Sequence, residues 1–120
     1  MNYRILFIVI LVVGCISQTY TAEEAQQVAA DYIKRAPTYT FDGIAGTFQV
    51  SQVEPLDCKG CFEVTIKFTS GYPGFGARSA YFLVRRLTPH TAKVRVEKGQ
   101  VTQAIIDDIW DEMKQQSIVK

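Results

Sequence analysis

Cys58 and Cys61 sit in Cys58-Lys59-Gly60-Cys61, the spacing with the most chemistry open to it in this 120-residue chain. A dithiol so spaced can exchange electrons with other thiols, helped when a helix begins at the first cysteine and lowers its pKa. Here Cys61 leads straight into Phe62-Glu63-Val64-Thr65-Ile66-Lys67-Phe68, whose alternation predicts a strand with no helix to follow. Half of a zinc site is a second reading. A tetrahedral site wants two further ligands, and His90 is the only histidine. A local disulfide pinning the turn ahead of the strand is the third reading and the expected one. Neither a metal nor a cofactor is expected.

Other groups have less to work with. His90 follows Pro89 and is expected in a turn that ends a strand, with no nucleophile elbow in the chain for it to serve. Asp107, Asp108, Asp111 and Glu112 lack the alternating ligands and central glycine of a calcium loop, and read as the solvated start of a helix. Tyr72 and Phe75 lie among Gly71, Pro73, Gly74 and Gly76. They either fold back onto the edge of the core or form a protruding contact finger, a role that suits aromatic loop residues. Strand parity sets Lys67, Arg85, Lys93 and Arg95 on an open sheet face beside Tyr81 and Leu83. That face is either ordinary solvated surface or a docking face for an anionic partner or a lipid surface.

The elements that must position these groups follow from patterning. Thr21-Ala22-Glu23-Glu24 reads as a capping box. Ala25, Val28, Ala29, Tyr32 and Ile33 then fall on one face of a helix over 22–35, which Pro37 stops. Phe48, Val50 and Val53 mark a first strand after a turn at Asp42-Gly43. Residues 61–68 make a second, and Ala80, Phe82 and Val84 a third, broken by Thr88-Pro89-His90. Ala92, Val94 and Val96 alternate in a fourth, and Lys98-Gly99 turns the chain into a last strand over 101–106. Ile105, Ile106, Ile109, Trp110 and Met113 suit a short C-terminal helix. The expected fold class is α+β: an N-terminal helix packed on a four- to five-stranded antiparallel sheet, with a short C-terminal helix. No helix separates the strands, so a parallel βαβ sheet is not expected.

Nearly half of the residues are apolar (48%), 21% are charged, and the net charge is +1, which excludes disorder and a basic nucleic-acid coat. The apolar excess is front-loaded. Arg4 precedes the unbroken run Ile5–Val13, too short for a secure membrane span but suited to the core of a secretory signal. The charges are segregated as well: residues 15–57 sum to −4, 58–100 to +6 and 101–120 to −2. Nucleic acid is not an expected partner.

Val12-Val13-Gly14-Cys15 resembles the lipobox of bacterial and archaeal lipoproteins. The resemblance implies that 1–14 is a signal peptide and that Cys15 becomes the acylated first residue. It further implies a tether over 15–21 and a domain over 22–120 held at the cell membrane by its lipid, outside the cytoplasm. An ordinary signal cut a few residues later and an uncleaved anchor are the competing readings. The element order over most of 22–110, with the closing hairpin Val94–Ala104, resembles cystatin-like folds, including the small PepSY-type modules of envelope proteins. Three segments resemble those of uncharacterised lipoproteins: Tyr39-Thr40-Phe41-Asp42-Gly43-Ile44, Thr88-Pro89-His90, and the Asp-x-x-Trp-Asp within residues 107–111. Cystatin inhibitors of cysteine peptidases use a Gln-x-Val-x-Gly hairpin and a Pro-Trp loop. Here Ser51 stands at the Val position of Gln49–Val53, the closing glycine is absent, and Trp110 follows Ile109, so inhibition does not carry over. The expected function is a non-catalytic, membrane-anchored domain that binds a protein or peptide. The alternatives are a PepSY-like modulator of an extracellular peptidase and a thiol–disulfide redox protein.

Overall fold

The computed structural model describes residues 19–78 and 84–119. The expected signal segment 1–14, Cys15 and the first part of the expected tether lie outside the described residues. So do Ala80, Tyr81, Phe82 and Leu83, and with them most of the strand expected around 80–85.

Helix α1 runs Ala22–Arg35 and opens on the expected capping box. The Glu24 amide donates to Thr21 Oγ1 (3.2 Å) and the Thr21 amide to Glu24 Oε1 (3.1 Å). Acids in the first turn and Lys34 and Arg35 in the last complement the helix dipole. Pro37 ends α1 and also takes the first position of a second helix, α2 (Pro37–Asp42), where its missing N–H is no loss. A single 3₁₀ turn, Ala45–Thr47, leads to the sheet.

Six strands follow in chain order as one antiparallel sheet: β1 (Gln49–Pro55), β2 (Cys61–Ser70), β3 (Thr88–Glu97), β4 (Gln100–Ile106), β5 (Trp110–Asp111) and β6 (Gln116–Ser117). α1 lies on one face. Ala25, Ala29 and Ile33 from the helix meet Val64, Ile66, Phe68, Ala92, Val94, Val96, Ala104 and Ile106 from β2, β3 and β4. The register between β1 and β2 shifts between Val50 and Gln52, so Val50 opposes Ile66 and Val53 opposes Val64. This irregularity lets two valines three apart share the inner face. A second shift between Arg95 and Val96 brings Val101 and Ala104 inward in the same way. Lys98 (φ 50°) and Gly99 (φ 81°) form the expected two-residue hairpin turn, both in the left-handed region.

Three expectations are corrected. Thr88-Pro89-His90 does not break a strand; it begins β3, and the described part of the expected third strand, residues 84–87, is exposed and irregular. β4 pairs β3 only from Ala92 onward, so among the described residues Pro89 sits near a free edge, where a proline is tolerated. The C-terminal helix is absent: Asp107 (φ 54°) and Asp108 (φ 59°) reverse the chain, and Trp110 and Asp111 pair back onto Ile106 and Ile105 as β5. Among the described residues the sheet therefore has six strands rather than four or five. Among the described residues no helix is long and apolar enough to cross a membrane.

Candidate functional site

The two cysteines are joined as expected, with Cα atoms 5.4 Å apart. Their turn is tight: the Cys61 amide donates to the Cys58 carbonyl (3.2 Å), and Gly60 takes φ 78°. The turn is also pinned from outside, because Leu56 donates to the Cys61 carbonyl and Lys98 to the Gly60 carbonyl, both at 2.8 Å. Cys61 is the first residue of β2, so no helix follows the motif. Cys58 is exposed while Cys61 is buried. Cys61 opposes Glu97 in the β2–β3 ladder, and Arg95, two residues back on the same face, forms an ion pair with Glu97. The Arg95 Nη2 also lies 4.0 Å from Cys58 Sγ. The ring of Tyr20, just ahead of α1, lies against Gly60 and Gly99 and so closes this corner from the tether side. Replacing both cysteines by serine is expected to cost about 2 kcal/mol, the value for a loop this short, read as a shifted urea midpoint.

The open face of the sheet is mixed rather than uniformly basic. Lys67 and Lys93 are exposed on neighbouring strands, opposite Thr91 and Thr65. Arg95, between Glu63 and Gln103, is held by Glu97. Arg85 is not on this face; it is exposed in the irregular segment before β3.

Tyr72 and Phe75 do not protrude as a finger. Tyr72 packs edge-on against Phe41, and its amide donates to Asp42 Oδ2 (2.7 Å). Phe75 stacks on Trp110 with centroids 5.6 Å apart and touches His90 at 5.3 Å. Arg78 forms a buried ion pair with Asp42 and lies over the Phe41 ring (4.5 Å).

His90 is not a turn residue. It is buried in β3, with Nδ1 2.6 Å from Asp107 Oδ2, and the other Asp107 oxygen accepts from the Thr91 amide (2.8 Å). An Asp–His pair can orient a catalytic imidazole. This ring is instead flanked by Phe68 and Phe75 at 5.3 Å each, and its Nε2 meets no partner among the described residues. Closed off in this way, the pair ties β3 to the turn at 107–108. The acids are not a solvated helix start either. Asp111 accepts from the Met113 and Lys114 amides (both 3.0 Å), and Glu112 is 2% exposed. Glu112 accepts from the Thr38 amide (3.0 Å) and hydroxyl (2.5 Å), while the Gly76 amide donates to that hydroxyl (2.7 Å). Sequence reasoning missed this buried network. The one available signal was an acid in an apolar C-terminal stretch that turned out not to be helical.

Burial, with Glu112 and Asp111 nearby, pushes the Tyr32 phenol above its ordinary 10.0. The folded chain keeps this proton longer than the unfolded chain. The stabilisation is therefore complete below pH 10 and lost as pH rises through the raised value. A spectrophotometric titration of wild type minus Tyr32→Phe is expected to show one phenol titrating above 10. A difference curve centred at 10 would contradict this.

The class defined by these elements is an α+β domain, one long helix on a six-stranded antiparallel meander with a disulfide-closed turn at one corner. No protein-family model, curated protein or solved structure matches the chain.

Proposed function

We propose that this chain is an envelope lipoprotein whose domain, cystatin-like in its helix-on-sheet layout, binds a protein or peptide partner outside the cytoplasm without catalysing a reaction. The lipobox-like Val12–Cys15 and the short apolar run before it support the anchor. A disulfide fits a compartment outside the cytoplasm. The observation that carries the binding role is the uncovered face of β2 and β3, where Lys67 and Lys93 stand exposed on adjacent strands. Two cations that are unpaired among the described residues favour an acidic segment of a partner there.

Intact-mass measurement of protein extracted from membranes tests the anchor. The expected mass starts at Cys15, carries a diacylglyceryl group and lacks two hydrogens for the Cys58–Cys61 bond. Cys15→Ser is expected to move the protein from the membrane to the soluble fraction. A chain cut elsewhere, or a Cys15→Ser protein still in the membrane, overturns the anchor. Lys67→Glu with Lys93→Glu is expected to abolish cross-linking to the partner in intact cells. Undiminished cross-linking overturns the binding face.

A second reading, thiol–disulfide exchange, is favoured by the exposed Cys58 with a guanidinium 4.0 Å from its sulfur and a buried Cys61 behind it. A reduction potential as low as that of a structural disulfide, with no insulin reduction, would dismiss it.

A further inference from the structure

We propose that Cys58, Cys61 and Glu97 form a zinc-type cation site that opens when the disulfide is reduced. Their ligand atoms already lie within 4.8 Å of one another. The placement is built into the fold. Cys61 and Glu97 are direct partners in the β2–β3 ladder, and the Gly60 turn brings Cys58 over the same face. Reduction does not release that turn, because Leu56 and Lys98 hold its backbone by hydrogen bonds independent of the sulfurs. In a tetrahedral zinc site, two sulfurs with Zn–S bonds of about 2.3 Å sit about 3.8 Å apart, so the thiolates need only a small separation to seat the ion. Arg95 does not block the site. It occupies Glu97 Oε2 and leaves the second carboxylate oxygen free. Two thiolates, a carboxylate and a divalent cation sum to one negative charge, which the guanidinium offsets from the outer shell. Cys58 and the turn around it are exposed, so the fourth position belongs to water or an incoming ligand.

The redox step balances. The Sγ–Sγ bond breaks as a dithiol reductant donates two electrons and two protons and becomes a disulfide itself. The cation then displaces the two cysteine thiol protons to solvent. In the oxidised chain the sulfurs are bonded to each other and offer no thiolate, so the site is closed.

The test uses the full chain, oxidised and phosphine-reduced, titrated with zinc against a chromogenic chelator. The reduced protein is expected to take one zinc per chain and the oxidised protein none. Cys58→Ser and Cys61→Ser are each expected to abolish binding, and Glu97→Gln to weaken it tenfold or more. Glu97 is half-exposed, so its amide variant retains the fold. Cobalt(II) gives an independent reading, because thiolate-to-cobalt charge-transfer absorption is expected from the reduced chain alone. Absence of stoichiometric binding after reduction, equal binding to the oxidised chain, or an unchanged affinity in Glu97→Gln would each overturn the site.

Discussion

Thr38→Val is expected to destabilise the domain by about 3 kcal/mol although it changes almost no volume. The hydroxyl it removes serves two buried partners at once, donating to Glu112 and accepting from the Gly76 amide. A hydrogen bond to a charged group is worth about 1.5–3 kcal/mol, and a buried amide left without a partner costs about 1–3 kcal/mol more. The network joins the start of α2, the segment after β2 and the residue after β5, three parts of the chain that share no strand pairing. The loss is therefore expected in the global urea midpoint. Glu112→Leu removes the acceptor instead. The double variant Thr38→Val/Glu112→Leu is expected to cost clearly less than the two singles added, because the second change removes the group that the first leaves stranded. Additivity within about 0.5 kcal/mol would mean that the two side chains act separately.

The same corner shows where sequence reading reaches its limit. α1, β2 and the β3–β4 hairpin were legible because each carries a strong period and a local end signal: the capping box at Thr21, the alternation from Phe62, the Lys98-Gly99 turn. The disulfide was legible from the spacing together with the strand that follows it and the single histidine, which count against the redox and zinc readings. The C-terminal segment misled because Ile105, Ile106, Ile109, Trp110 and Met113 also satisfy a helical period. Asp107 and Asp108 decide against it, since aspartate tolerates positive φ and two in succession can build a hairpin turn. Once that turn forms, Asp107 reaches His90 and Glu112 reaches Thr38, pairings across 17 and 74 residues. No local pattern encodes contacts at such separations. Thr88-Pro89-His90 misled for a related reason: a proline reads as a stop unless the strand is known to have a free edge there. The Glu97–Cys61 juxtaposition became visible only through the register, because it needs the partner strand as well as the motif.

Phe68→Ala is expected to have the largest effect of any single truncation among the described residues, about 3–5 kcal/mol, the range for removing a buried phenylalanine. Phe68 is 2% exposed and, among the described residues, heads the fully buried side chains by size. Tyr39 meets it edge-on at 5.2 Å, Phe48 stacks at 6.5 Å, and His90 lies at 5.3 Å. Each aromatic contact adds about 0.5–1.5 kcal/mol beyond the area it buries, so the upper part of the range applies. Against a total stability of about 5–15 kcal/mol for a domain this size, roughly a quarter or more is lost. The melting temperature is expected to fall on the order of 15 °C or more. The truncation also uncovers one side of His90, whose Nδ1 stays bound to Asp107 while its ring gains access to water. A stability loss below about 2 kcal/mol would show that the aromatic cluster closes over the gap. If the His90 ring were unchanged by NMR in a destabilised Phe68→Ala protein, the Asp107 contact and the Phe75 ring alone would be holding it.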